Sequence, residues 1–216
     1  MTAVLWDLDD TVLNTLPGRM VALAHAYEVC LGTKTDPIAL WRSHRGGTLE
    51  DLGRRLVGDD YVRFTNIYRD RYYSLVRDLQ PFPGIVATLE AFCSAGVPMT
   101  IVTSKVAWGA TEELASAGLL RFFHSVVGFE DTDLHKPDPA PIYEALDRLL
   151  LEPDKTVVFV GDSPADIWAA RNAGVKSVAA LWGTLDSELL LDAMPDATAK
   201  SPGEVLALLA SGATAP

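Results

Sequence analysis

The chain reads as an α/β protein, a doubly wound parallel sheet interrupted near its start by a block of helices. Three observations carry this reading. From Ile85 onward, short apolar runs alternate with helical segments, the pattern of a parallel sheet covered on both faces. Between Asn14 and Phe82 no strand pattern intrudes, and apolar residues recur at helical spacing. Ahead of that block, the apolar run Ala3 to Leu8 has the makings of a first strand and delivers Asp7, Asp9 and Asp10 close together.

Taken in order, the first strand runs into Asp9-Asp10-Thr11. Met20, Leu23, Ala24, Tyr27 and Leu31 then mark a helix entered at Pro17-Gly18 and ended by Gly32. Further helices are predicted over Pro37 to Trp41, over Leu49 to Val57 with Thr48 as cap, and over Tyr61 to Leu79. Gln80-Pro81-Phe82-Pro83-Gly84 forbids helix continuation, so the helical block reads as an insertion on two hinges. A helix from Ile85 to Ser94 and a turn at Ala95-Gly96 lead to a strand from Val97 to Val102, which runs into Thr103-Ser104. The helix Ala107 to Ala117 stops at Gly118, and a strand Ser125 to Gly128 precedes a loop holding His135-Lys136-Pro137-Asp138-Pro139. A helix from Pro141 to Leu151 leads to the apolar Thr156 to Val160, which closes on Gly161-Asp162-Ser163. Another helix reaches Ala173-Gly174, a strand Ser177 to Leu181 follows, and Pro202 to Leu209 forms a last helix. The expected division is residues 1–13 and 83–216 as the α/β core and 14–82 as a helical insertion.

Composition narrows the partners. With 49% apolar and 22% charged residues in 216, the chain can bury a proper core. A formal charge of -11 argues against nucleic acid and anionic membrane as partners. The charge is uneven: 10 basic against 8 acidic residues between Asn14 and Phe82, and 8 against 21 elsewhere, so the insertion is the part with arginine to offer an anion. Cys30 and Cys93 lack partner spacing and are read as buried thiols in a reducing compartment. Asp7 interrupts the first apolar run, so neither a signal peptide nor a membrane span is expected and the protein is read as cytoplasmic, a monomer or homodimer.

The polar residues that close the strands would meet at one edge of the sheet, because ligands in such folds bind outside the carboxyl ends of the strands. They are Asp7 and Asp9, Thr103 and Ser104, Lys136 on its loop, and Asp162 with Asp166. Residues two apart on a strand share a face, so Asp7 and Asp9 are expected to point into one volume, where a divalent cation or a retained proton would relieve their repulsion. Carboxylates of Asp7 and Asp162 suit Mg²⁺, which takes oxygen ligands and keeps several waters. A hydroxyl, backbone amides and one ammonium suit a phosphoryl group.

Asp7-Leu8-Asp9-Asp10-Thr11, Thr103, Lys136 and Gly161-Asp162-Ser163-Pro164-Ala165-Asp166 together resemble, in order and in strand context, the four motifs of the haloacid dehalogenase-like hydrolases. The resemblance covers essentially the whole chain, and the insertion is similar to the small α-helical cap of the phosphoglycolate-phosphatase-like branch. It implies a Rossmann-like core and a Mg²⁺-dependent phosphatase acting on a small phosphorylated metabolite, with phosphoglycolate the first expectation and pyrophosphate, nucleotides and sugar phosphates behind it. By the same resemblance, Asp7 is the nucleophile that forms an aspartyl-phosphate and Asp9 is the acid and then the base. Thr103, Ser104 and Lys136 bind the phosphoryl oxygens, and the metal is held by Asp7, the Asp9 carbonyl and Asp162, with Asp166 supporting through water. Asp10 stands where many members have glycine, and Asn14 where a carboxylate is frequent. Dehalogenases of the superfamily lack the second aspartate, so Asp9 argues against dehalogenation. Two alternatives share the motifs: a phosphomutase resembling β-phosphoglucomutase, and a non-catalytic phospho-aspartate switch or binding module, against which Asp9 also argues because an acid and base beside an acyl-phosphate shortens its life.

Substrate selection is expected from Trp41-Arg42-Ser43-His44-Arg45-Gly46-Gly47, which resembles the cap loop that enters the active site of related enzymes. Arg45 beside the glycines Gly46 and Gly47 is the preferred contact for an anionic leaving group, with Arg42 and His44 behind it, whereas Arg54-Arg55 and Arg69-Asp70-Arg71 are read as helix-surface ion pairs of small energetic value. Replacing Arg45 with Ala is expected to damage turnover of the natural substrate more than that of a generic aryl phosphate; equal losses in kcat/KM on both would remove Arg45 from selection.

Overall fold

A computed structural model describes residues 1–44, 48–76 and 79–211, and the chain divides into two compact units, Met1–Asn14 with Gln80–Pro216, and Thr15–Leu79. The Thr15–Leu79 unit holds α1 (Leu16–Leu31), α2 (Pro37–Ser43), α3 (Leu49–Val57) and α4 (Tyr61–Tyr73). Each end has a local cause. Pro17 sits in the first turn of α1, where its missing N–H is no loss, and Gly32 closes that helix at φ 72°. Asp36 caps α2 by accepting from the amides of Ile38 and Ala39, and Thr48 with Asp51 forms a reciprocal capping box on α3. Met20, Leu23, Ala26, Leu52 and Phe64 form its buried centre.

The helix expected to reach Leu79 stops at Tyr73. Beyond it the Leu75 amide donates to the Tyr72 carbonyl and the Leu79 amide to that of Val76, tighter turns than an α-helix makes. Val76 and Leu79 are nevertheless buried with Ala22 and Tyr72, so the apolar spacing outlasts the helix that it suggests. Arg54 pairs with Asp51 at 3.4 Å and Arg69 with Glu50, exposed contacts of the kind expected for these arginines.

The other unit is built on β1 (Ala3–Trp6), β2 (Met99–Val102), β3 (Ser125–Val127), β4 (Val157–Gly161), β5 (Lys176–Ala180) and β6 (Ala197–Ala199). All described pairs are parallel, in the order β3-β2-β1-β4-β5-β6. Its helices are α5 (Ile85–Ser94), α6 (Ala107–Ser116), α7 (Ala140–Leu149), α8 (Pro164–Ala173), α9 (Ser187–Asp192) and α10 (Pro202–Ser211). Alternate strand residues supply two cores. Val4, Trp6, Ile101, Val158 and Val160 pack with Leu89, Phe92 and Leu114, while Ala3, Leu5, Val157 and Phe159 pack with Ile142, Leu146 and Ala170. Strands buried on both faces explain the unbroken apolar runs.

Two short elements, β6 and α9, fall outside the sequence reading: Ala197-Thr198-Ala199 has no bulky alternation, and α9 is too brief for a periodic signal. Cys30 is half-buried and Cys93 exposed, both unpaired, which corrects the expectation of buried thiols; an apolar stretch of sequence does not say which helix face meets the core. No helix among the described residues is long and apolar enough to cross a membrane.

Phe92 meets Trp6 edge-to-face at 6.1 Å between ring centroids, both fully buried. Phe92→Ala is expected to cost about 3–5 kcal/mol, the range for deleting a buried aromatic. Urea unfolding checks it, and a loss under about 1 kcal/mol would show that the site collapses or is not tightly packed.

Candidate active site

Strand register decides which polar residues meet. Trp6 pairs with Ile101 on one side and Val160 on the other, and the Asp7 amide donates to the Val160 carbonyl at 2.9 Å. Asp7 therefore leaves β1 where β2 and β4 also end. The strand order reverses at β1 and β4, running through β2 to β3 on one side and through β5 to β6 on the other; open α/β sheets bind ligands in the crevice at such a reversal. Thr103 follows β2 directly, and Asp162 follows β4.

After Asp7 the chain turns hard. The Leu8 carbonyl accepts from the amides of Thr11, Val12 and Leu13 at 3.4, 3.0 and 3.0 Å. Asp10 stands at φ 59°, a left-handed conformation that asparagine, aspartate and glycine tolerate best, so the residue at the frequent glycine position meets the same backbone demand. The strand thus ends at Trp6 rather than Leu8, so Asp7 and Asp9 lie on the turn beyond it, where the Asp9 charge still reaches Asp7. Each meets its own lysine.

Lys136 Nζ donates to Asp7 Oδ1 and Asp166 Oδ1, both at 2.7 Å, and to the Val102 carbonyl at 3.2 Å. An ammonium has three donors, and here all three are used. Its loop is held from outside: Asn172 donates to the Pro137 carbonyl at 3.0 Å, and His135 stacks on Phe129 with centroids 3.8 Å apart. Asp166 belongs to the first turn of α8, where its Oδ2 accepts from the Ser163 amide at 3.0 Å and the Ser163 hydroxyl at 2.6 Å. Asp162 Oδ1 accepts from the fully buried Thr11 hydroxyl at 3.0 Å, and the Thr11 carbonyl takes the Trp182 indole N–H at 2.9 Å.

Asp7, Asp162 and Asp166 each present an oxygen within 4.8 Å of the others. Burial pushes the Asp7 carboxyl up to about 7; Lys136 opposes the shift and Asp166 adds to it. Burial alone would lower the Lys136 ammonium, but Asp166 and Asp7 override it and hold it above its ordinary value. Asp7 and Asp166 share the Lys136 ammonium and Asp162 presents an oxygen within 4.8 Å of theirs, so the cluster carries excess negative charge, and its hard oxygens fit a small divalent cation. Asp166 has both oxygens engaged, Oδ1 by Lys136 and Oδ2 by Ser163.

Lys105 Nζ donates to Asp9 Oδ1 at 2.9 Å and to both oxygens of Glu113, at 2.7 and 2.6 Å. The sequence leaves Lys105 between site rim and solvent; it is largely buried, and the two carboxylates hold its ammonium above its ordinary value although burial opposes this. The Thr103 hydroxyl oxygen accepts from the Lys105 amide at 3.2 Å, with Thr103 buried and Ser104 exposed. Arg42 is an exposed residue in the last turn of α2, and His44 ends that helix with Nδ1 3.1 Å from the Leu40 carbonyl. Arg45 and Gly46 lie outside the described residues.

Thr11 and Ser163, quoted within the motifs without a role of their own, touch this constellation, as do Glu113 and Trp182, which the sequence reading did not single out. For Glu113 a signal was available, an acid between Ala110 and Leu114 on an otherwise apolar face of α6.

Known proteins resemble the chain over most of its length. A sequence profile described as haloacid dehalogenase-like hydrolase matches residues 4–180. The chain belongs to that family. A relative in Caldanaerobacter subterraneus, provisionally named pyrophosphatase PpaX, is 35% identical over 91% of this chain and 89% of its own length. A phosphoglycolate phosphatase of Aquifex aeolicus is 29% identical over 97% of each chain. Among solved structures, the haloacid dehalogenase-like family protein SP0104 of Streptococcus pneumoniae superposes with a TM-score of 0.83 at 28% identity, covering 96% of this chain and 98% of its own. The chain is thus a phosphatase-type enzyme of the haloacid dehalogenase-like hydrolases, with their parallel sheet core.

Gly161 explains one motif position. A Cβ there would lie 2.4 Å from Asp166 Cβ and Cγ, so only glycine lets Asp166 pack over the end of β4. Gly161→Ala is expected to cost about 1–3 kcal/mol as an overpacked site and to lower turnover by about 10²-fold, the scale of a 1 Å misplacement. Thermal melting with steady-state kinetics checks both; full activity would show that Asp166 placement is not critical.

Proposed function

We propose that this hydrolase is a Mg²⁺-dependent phosphatase of a small phosphorylated metabolite with an anionic leaving group, phosphoglycolate first, working through an aspartyl-phosphate. The observation that carries the proposal is Lys136 bridging Asp7 and Asp166 while Asp162 stands within 4.8 Å of both. Asp7 would attack phosphorus through a carboxylate oxygen as the bond to the leaving oxygen breaks, and Asp9 would supply the proton that oxygen needs. Asp9 would then take a proton from water, which attacks the same phosphorus and releases phosphate from Asp7. Thr103, Ser104 and the backbone amides after β2 would hold the phosphoryl oxygens, and Lys136 would shift from the Val102 carbonyl to join them. The Asp7 and Asp162 carboxylates with the Asp9 carbonyl would hold Mg²⁺, oriented by Asp166, and the bound ion would offset charge on the phosphoryl group.

The helical Thr15–Leu79 unit is read as the cap, with Arg45, Arg42 and His44 as its anion contacts. Pyrophosphate is the second reading, favoured by the 35% identical relative, since its leaving group is also a compact anion. An unpaired, exposed Cys93 supports a reducing, cytoplasmic setting, and the chain is read as a monomer or homodimer.

Phosphate release should be measured from phosphoglycolate, pyrophosphate, sugar phosphates, nucleotides and an aryl phosphate, each with Mg²⁺ or chelator. Release that requires Mg²⁺, prefers one of the first two, and is absent in a folded Asp7→Asn variant is the expected result. Substantial turnover by Asp7→Asn would remove the nucleophile, and isomerisation of a sugar phosphate without phosphate release would replace the phosphatase by a mutase.

A further inference from the structure

We infer that Lys105, clamped by the buried Glu113, is a positioning residue that holds the Asp9 carboxylate in the direction from which it hands a proton to the leaving oxygen. The inference rests on the acid and base role proposed for Asp9. Its basis is the geometry of three residues on three separate stretches of chain, the turn after β1, the turn after β2, and the middle of α6. The Glu113 side chain has no exposure, that of Lys105 14% and that of Asp9 20%, so the triad runs from the interior to the mouth of the site.

A buried Lys–Glu pair is at best a weak source of stability, because desolvating both ions offsets their attraction. Ala110 and Leu114, fully buried beside Glu113 on α6, show that this face packs apolar residues readily. What the pair supplies is an immobile ammonium. Both Glu113 oxygens grip it from a helix, and the Lys105 backbone is held at each end, its amide on Thr103 Oγ1 at 3.2 Å and its carbonyl by the Phe129 amide at 2.9 Å. Asp9 lies on a turn, where a carboxylate otherwise samples several rotamers; a charge-assisted bond to a fixed donor selects one.

The test compares kcat/KM on p-nitrophenyl phosphate, whose leaving group departs unprotonated, with phenyl and methyl phosphate, whose leaving groups need a proton. The variants are Lys105→Met, Lys105→Arg and Glu113→Gln, with Asp9→Asn as the reference. Lys105→Met is expected to lose about 10²-fold on methyl phosphate, within the range general acid catalysis supplies, and far less on p-nitrophenyl phosphate, with KM little changed. Lys105→Arg should recover part of the loss, and Glu113→Gln should show the same selectivity more weakly. The double variant Lys105→Met with Glu113→Leu removes both charges of the buried pair together, so the fully buried Glu113 is not left without its cation, and the same pattern in it separates the result from a folding defect. An Asp9→Asn variant without leaving-group selectivity would remove the acid role, and this inference with it. Selectivity in Asp9→Asn but equal losses, or none, in the lysine variants would overturn the positioning role alone.

Discussion

The site depends on one ammonium. Lys136 stands between Asp7 and Asp166 with a backbone carbonyl as its third partner, and without it three carboxylates would lie together with little water to separate their charges. The surrounding structure serves that arrangement. Gly161 clears the space into which Asp166 packs, Ser163 fixes the other oxygen of Asp166 through a capping box, and Thr11 sets the angle of Asp162. Three ionised carboxylates against one ammonium leave two negative charges unbalanced, so the same cluster that tolerates a lysine also invites a divalent cation.

The different partners of the two aspartates near the N-terminus are the second constraint. Their charges still interact, Asp9 adding to the upward shift of Asp7. The tight turn on the Leu8 carbonyl nevertheless gives them different surroundings, Asp7 with Lys136 and Asp9 with Lys105. Two carboxylates in different surroundings can divide nucleophilic and acid–base work, which one shared environment would forbid.

Several local features were legible from residues alone. The alternation of apolar runs and helical segments pointed to a parallel sheet because strands buried on both faces need apolar residues at successive positions. Helix starts at Pro17, Asp36 and Thr48 and the stop at Gly32 follow from backbone groups that neighbouring residues satisfy or release. Less legible were β6, which is small residues paired to β5, and the end of α4, where buried Val76 and Leu79 continue a helical spacing that the backbone has abandoned.

The sequence by itself determined the alternating α/β order, the inserted helices, and which aspartates and threonine follow the strands, since these follow from period, capping and turn chemistry within a few residues. Only the tertiary structure decided the partners. Thr11 finds Asp162 across 151 positions, Asp7 finds Lys136 across 129, and Lys105 bridges Asp9 and Glu113. Strand order and register bring those side chains together, and register is a property of packed sheets that no single stretch of chain contains.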